Sequence, residues 1–391
     1  MKSNIIFASY DGIAGNIANS QILPYIIFLS KNYNITIYSL EKNYNLKKKN
    51  LLEKCFKKLN ITWVHETYNY NNLFSLVISL IKFNFNFFFL LSKIEHKLVH
   101  IRSFPSFFLV LGSIYLSKIK IIYDIRGFWI DEKIDRFNWK QNSLKVKLLK
   151  SINNYFIKKS NIIITLTDDS KRILSQKFIN KEIVNIPTCV NIYKFNENSV
   201  FKKKVLNFGH LGSIQYAYDF NKILFFFKKY LSIESKAKLF IYSSDSKNLI
   251  LKYLNNNNIE SKNYEIQNIN HSKIHLFMKN IDFGIFYLKK NYSIRASFPT
   301  KIGEFFSSNI PILCNNFNED INQIFNNNKI GVFSNFKNDI DIKKLYYNIN
   351  SIYLENFNNK FARKYSEINL NLETSKIQYL SLYEKLIEYD E

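Results

Sequence analysis

The chain has 391 residues, of which 47% are hydrophobic and only nine are Gly and five Pro, and it carries a formal net charge of +24. This length and apolar content suit two packed domains and exclude a collagen-like or low-complexity chain. The cysteines Cys55, Cys189 and Cys314 are odd in number, far apart and without a C-x-x-C pair. That excludes a disulfide framework and predicts a reducing, cytoplasmic compartment. The first apolar run, Ile5–Ala8, is too short for a secretory signal.

Short apolar runs alternate with amphipathic stretches along the first half. Ile5–Ser9, Ile35–Leu40, Ile61–His65, Leu98–Arg102, Ile119–Asp124 and Ile162–Leu166 read as strands. Ser20–Lys31, Leu46–Leu59, Pro105–Leu116 and Lys145–Lys159 read as helices. After Val184–Ile186 the segment Pro187–Asn191 reads as a linker, and the pattern restarts. Lys204–Leu211, Lys238–Ser243, Tyr264–Gln267, Ile281–Tyr287, Ile312–Cys314 and Gly331–Phe333 are the next strands. Helices are expected at Ile223–Leu231, from Lys301, and at Leu372–Tyr389. Such alternation implies α/β architecture with parallel sheets, in two Rossmann-like halves meeting near residue 195. Ligands in these sheets bind at the carboxyl ends of strands, which directs attention to the residues just beyond them.

The charge predicts attraction to an anionic surface. Its lysines are scattered and not interleaved with a nucleic-acid-binding pattern, so a membrane is the expected partner and nucleic acid is not. Leu73–Ser92 is apolar with Lys82 its only charge, but Asn84 and Asn86 beside that lysine disfavour a bilayer crossing. A buried or interfacial helix is expected there.

Ser297-Phe-Pro-Thr-Lys-Ile-Gly-Glu304 is the most informative segment. Pro299 stops the preceding loop, and Thr300 is expected to cap a helix beginning at Lys301. The free amides of that helix start, together with Lys301, suit a phosphate. Glu304, one turn on, can accept hydrogen bonds from a pair of ribose hydroxyls; an ordinary capped helix is the competing reading. Gly212-Ser213 after a strand allows close backbone approach to a phosphate, and Arg295 can neutralise a leaving diphosphate. The segment Asp124–Lys133 packs Asp124, Arg126, Asp131, Glu132 and Lys133 around Trp129. Carboxylates so placed can orient hydroxyls or act as bases, whereas an Asp124–Arg126 ion pair is the structural alternative. Asp282-Phe-Gly284 lies inside an apolar strand with no kinase catalytic loop before it. His271 and His275 have metal-ligand spacing without a third ligand, and no metal is expected.

The motif at Ser297–Glu304, with Pro311 after it, resembles the donor-binding segment of the family-four retaining glycosyltransferases of the GT-B fold, in particular those that build bacterial surface polysaccharides. The resemblance extends to Phe7–Gly12, Ser20–Tyr25 with Gln21, His100-Ile-Arg102-Ser103, Asp124–Glu132, Ile186–Phe195 and Gly209–Ser213. It departs at Ala296, where the family usually has a second Glu, and at Asn309, where Gly is frequent. The resemblance implies two Rossmann-like domains facing across a cleft. Residues 1–195 would bind the acceptor and 196–370 the nucleotide-sugar, and a helix at 371–391 would pack back on the first domain. Gly212, Ser213, Arg295, Pro299, Thr300, Lys301 and Glu304 are then the donor side, and Asp11, Gly12, Gln21, His100 and Arg102 the acceptor side. Asp124, Arg126 and Glu304 are the candidate catalytic residues.

The implied reaction is metal-independent, retaining transfer of a sugar from a nucleotide-diphosphate sugar to a saccharide or polyprenyl-linked acceptor, in surface-polysaccharide synthesis at the inner face of the membrane. No cofactor is expected. The alternatives are a GT-B nucleotide-sugar epimerase and a non-catalytic sugar-nucleotide-binding component of an assembly complex, which the missing second Glu favours.

Overall fold

The computed structural model describes the chain apart from residues 1, 42–45, 68–72, 94, 117–118, 197–204, 269–270, 337–340 and 389–391. Lys204 and Tyr389, at the bounds of two expected elements, lie outside the described residues. The chain forms two compact units, Met1–Pro187 with Glu373–Glu391, and Thr188–Leu372. The division falls ahead of the expected residue 195. Val190 already hydrogen-bonds within the second unit: its N–H donates to the Leu370 carbonyl at 2.9 Å, and its carbonyl accepts from Leu372 N–H at 3.0 Å.

The first unit holds β1 (Asn4–Ser9), β2 (Asn34–Glu41), β3 (Thr62–Thr67), β4 (Leu98–Arg102), β5 (Lys120–Asp124), β6 (Ile162–Thr165) and β7 (Glu182–Asn185). They form one seven-stranded sheet in the order β3-β2-β1-β4-β5-β6-β7. Every pairing is parallel. Parallel strands are covered on both faces, which is why β1 and β6 read as nearly continuous apolar runs. The helix Leu73–Lys93 is anchored by Phe83 and Phe87, which meet the Tyr38 ring edge-on at 4.8 and 5.5 Å. Each such pair contributes about 0.5–1.5 kcal/mol beyond the buried area.

The second unit holds β8 (Phe208–Leu211), β9 (Leu239–Tyr242), β10 (Tyr264–Gln267), β11 (Phe283–Ile285), β12 (Ile312–Cys314) and β13 (Gly331–Phe333), ordered β10-β9-β8-β11-β12-β13. These pairings are parallel too. Strand order reverses between β1 and β4 in the first sheet and between β8 and β11 in the second. A crevice therefore opens beyond the strand ends at each of those points.

Local chemistry corrects several expected elements. Ser20–Lys31 is two helices, Asn16–Gln21 and Leu23–Leu29, because Pro24 starts a new one. Pro105–Leu116 is a 3-10 turn, Phe104–Leu109, followed by the short helix Gly112–Tyr115. The Asn84 side chain satisfies the break: its Nδ2 donates to the Phe108 carbonyl at 2.7 Å, and its Oδ1 accepts from Leu111 N–H at 3.0 Å. Among the described residues, no helix is long and apolar enough to cross a membrane.

Candidate functional site

In the second unit, β8 runs into Gly212, whose φ of +86° is a left-handed conformation that favours glycine. A side chain there would also lie 3.8 Å from the Lys301 Nζ. The turn is held from below by Asp245, which accepts from the Ser213 hydroxyl at 2.9 Å and from Ile214 N–H at 2.7 Å. The Ser213 hydroxyl is thus engaged in shaping the turn. His210 is buried with its ring nitrogens 3.1 Å from the Ile285 and Ser213 carbonyls. Burial and the nearby Lys301 charge push its pKa down to about 3, so the ring is neutral.

Opposite that turn the helix Thr300–Ser307 begins. Pro299 is its N-cap, and no side chain caps it. Thr300 is the first helical residue rather than the cap expected from the sequence. Lys301 is buried, and among the described residues its Nζ has no hydrogen-bond partner. It lies over the Tyr218 ring at 3.8 Å and near the Phe286 ring at 5.4 Å. Burial pulls its pKa down to about 7, against the upward pull of Glu304. Glu304 is buried one turn further on, and its charge adds to the burial that raises the Tyr218 phenol. The helix is locked at its other end. Arg363 donates through Nη1 to the Ser307, Ile192 and Phe195 carbonyls, the last at 2.9 Å. Asn309 takes a left-handed φ of 58°, which explains how Asn stands where the resemblance led us to expect Gly.

Arg295 sits in the 3-10 turn Tyr292–Ala296, half-buried, with its guanidinium 5.7 Å from the Tyr292 ring. Ala296, buried within this turn, places a methyl where the resemblance led us to expect a carboxylate. Asn318 pins the segment by donating to the Ser297 carbonyl at 3.0 Å. A separate cavity of about 710 Å³ opens at the ends of β11–β13, beside Tyr287, Asn315 and Lys344; neither Lys301 nor Glu304 borders it.

In the first unit the residues expected on the acceptor side also gather at the strand-order reversal. Glu41, at the end of β2, accepts from Ile13 N–H at 2.7 Å and Ala14 N–H at 3.2 Å, which shapes the loop after β1. A Cβ on Gly12 would come within 2.7 Å of the Glu41 carboxylate. Arg102 donates to Asp11 and to Gln21, each at 2.9 Å, and Arg126 donates to Gln21 at 3.3 Å. Asp124 lies 3.5 Å from the Arg126 guanidinium and 3.6 Å from the His100 Nε2. The helix Leu372–Glu388 covers this cluster. Its Tyr379 hydroxyl donates to Asp124 at 3.1 Å, and its Tyr383 hydroxyl meets the His100 Nδ1 at 2.7 Å.

These contacts change the reading of two residues. Asp124 is 3% and His100 1% exposed. Burial alone would raise the Asp124 pKa, but Arg126, His100 and Arg102 together hold it at about 2. Burial keeps His100 neutral. Neither is free to meet an acceptor; they position Arg102 and Arg126. Asp11 is the partly exposed carboxylate of the group, with a side chain 36% exposed. Asp131 and Glu132 form the first turn of the helix Trp129–Phe137. Asp131 is tied to Lys150 at 2.7 Å, and burial raises the Glu132 pKa. Among the described residues no group of three or more His, Cys, Asp or Glu gathers as metal ligands.

Sequence reasoning passed over Glu41, Asp245, His210, Arg363 and Tyr379. The His-Leu-Gly string alone hinted at His210; the others act on residues far away in the chain.

No family model and no curated protein sequence matches the chain. Solved structures do. It superposes on sucrose-phosphate synthase from Thermosynechococcus elongatus with a TM-score of 0.72, 10% identity and 100% of both chains covered. Anabaena HepE in complex with UDP and glucose matches at 0.64, with 10% identity over 98% of this chain and 100% of that one. WaaG, a glycosyltransferase involved in lipopolysaccharide biosynthesis, matches at 0.62, with 9% identity over 93% and 95%. The fold is that of the GT-B glycosyltransferases. In the GT-B chain described here, the second unit places Gly212, Lys301 and Glu304 around one strand-end crevice, and the first unit places Arg102, Arg126 and Asp11 around another.

Proposed function

We propose that this protein is a glycosyltransferase that moves a sugar from a nucleotide-diphosphate sugar to a saccharide or lipid-linked acceptor, without a metal and with retention of configuration. The observation that carries this reading is Lys301, a buried lysine without a hydrogen-bond partner, aimed at a glycine turn from the start of an uncapped helix. Holding an amine there is costly unless an anion completes the site. A diphosphate supplies that charge, with the first-turn amides and Arg295 sharing it. Glu304 then holds the ribose hydroxyls. The bond from the anomeric carbon to the diphosphate oxygen breaks with its electron pair going to the diphosphate, and an acceptor hydroxyl oxygen bonds to that carbon as its proton leaves to the departing phosphate. Fixed cations and amides favour the charge that develops on the leaving group.

Asp11, Gln21 and Arg126 serve the acceptor; Arg102, expected there too but as buried as Asp124, instead holds Asp11 and Gln21 in place, together with Asp124, His100 and the loop through Gly12. The known structures of HepE with UDP and glucose and of the lipopolysaccharide enzyme WaaG support a nucleotide-sugar donor and a surface-polysaccharide product. The reaction belongs in the cytoplasm, where free cysteines persist.

Ala296 favours a second reading, a chain that binds sugar nucleotide without turning it over. A thermal-shift screen against UDP-, GDP-, TDP- and CMP-sugars tests the first requirement. One nucleotide should raise the melting temperature of the wild type and fail to do so for Glu304→Ala, since only a ligand that prefers the folded state stabilises it. Product formation with that donor then separates transferase from binder, and sugar-isomer formation from donor alone would mark an epimerase.

A further inference from the structure

The helix Leu73–Lys93 has two different faces. One is fixed to the first unit by Phe83, Phe87 and Asn84. The other carries Val77, Ile78, Ile81, Phe85 and Phe88, each between 50% and 66% exposed. Their spacing of three and four residues makes a single stripe along a 21-residue helix, ~30 Å long. A monomer seldom leaves so continuous an apolar face in water.

Charge identifies what covers it. The 3-10 turn Phe104–Leu109 packs against this helix through Asn84. It also packs against the helix Leu144–Lys159, where the rings of Phe107 and Phe156 stack at 4.0 Å. The two helices therefore flank one segment on the same side of the sheet. The second helix exposes Leu144 and Leu148 together with Lys145, Lys147, Lys158 and Lys159. Neither helix contains an acidic residue. A second copy of the chain, itself at +24, would be repelled from this side, whereas an anionic lipid surface is attracted. Because the helix is bound to protein along its length and cannot cross a bilayer, it would lie in the interface plane with its phenylalanines among the acyl chains.

We infer that the stripe Val77–Phe88, flanked by the lysines of Leu144–Lys159, docks the first unit onto an anionic lipid surface. This surface is independent of the donor site, and its test needs no sugar nucleotide. The probe is co-sedimentation with vesicles of phosphatidylglycerol and phosphatidylcholine in equal parts, and with phosphatidylcholine alone, at low and at physiological salt. The wild type should sediment with the anionic vesicles only, more weakly as salt rises. Phe85→Asp with Phe88→Asp should weaken binding by on the order of tenfold or more. Lys145→Glu with Lys147→Glu should weaken it and flatten the salt dependence. These side chains face water, so melting temperatures should stay near that of the wild type. Fluorescence of Phe88→Trp, quenched by brominated lipid on vesicle addition, gives a second readout that requires insertion. Failure of the wild type to sediment with anionic vesicles would overturn the inference. So would equal binding by the double aspartate variant, or a dimer in light scattering that this variant dissolves while vesicles bind neither protein.

Discussion

The two units place charged clusters at equivalent points of the same topology, beyond the strand ends where strand order reverses, yet the electrostatics are opposite. In the first unit the buried carboxylate of Asp124 meets His100, Arg126 and the Tyr379 hydroxyl, and Arg102 spans Asp11 and Gln21. In the second unit Lys301 is buried with aromatic rings beneath it and no hydrogen-bond partner among the described residues. A buried charge paired with opposite charges specifies structure, even where single atoms such as Asp124 Oδ1 and Arg102 Nε make no hydrogen bond, whereas a buried charge with no hydrogen-bond partner or ion pair among the described residues signals a missing ligand. The contrast assigns framework duty to Asp124 and ligand duty to Lys301, although both looked like catalytic or binding groups in the sequence.

The largest effect expected from that contrast falls on stability. Asp124→Ala should cost about 3–5 kcal/mol, since it leaves buried Arg126 without its carboxylate. Chemical denaturation measures this, and a loss of activity with unchanged stability would reverse the assignment. Lys301→Met should do the opposite: the nucleotide-sugar Kd should rise by roughly a hundredfold, about 2.7 kcal/mol, with stability equal to or above the wild type. Titration calorimetry and thermal melting together check it.

The smallest effect is also the most diagnostic, because stability should rise with pH through both sites but in separate windows, and only the Lys301 window should carry donor affinity with it. The folded-state pKa of Asp124, about 2, lies below its ordinary value. Its contribution to stability is therefore full above the usual carboxylate range and is lost as pH falls toward 2. Lys301, at about 7, is also depressed, but it is a base. The unfolded chain binds the proton more tightly, so stability should rise with pH from about 7 toward the ordinary lysine range, by up to ~1.4 kcal/mol per unit. Donor binding favours the protonated amine, so affinity should fall over that range by up to about tenfold per unit, with proton uptake on binding seen by calorimetry in buffers of different ionisation enthalpy. A donor affinity flat between pH 6 and 9 would remove Lys301 from the diphosphate site.

Much of the architecture was legible locally. The strands Leu98–Arg102 and Ile312–Cys314 have the bounds expected of them, because a buried parallel strand is apolar at most positions; Tyr264–Gln267 and Gly331–Phe333 also keep their expected bounds, though they are edge strands and half-buried. Helices such as Lys247–Asn256 were not legible. Its Leu249, Ile250, Tyr253 and Leu254 stand at helical spacing, but the run Asn255–Asn258 that ends it reads as a loop and hides the pattern. Thr300 looked like a cap because Thr commonly is one, but Pro299 occupies that position.

By itself the sequence determined the α/β alternation, the restart at the second half, the placing of Gly212 just beyond a strand, and that of Lys301 and Glu304 in the first turns of a helix. These follow from periodicity and from the residue types that strand ends and helix starts demand. The tertiary structure decided which charges are paired. Asp124 accepts a hydrogen bond from Tyr379, 255 positions further along the chain, and the Gly212 turn is shaped by Asp245, from the loop after a neighbouring strand. Pairing and burial depend on distance through space, and a buried ion's role is set by the partners that chain folding brings within a few ångströms.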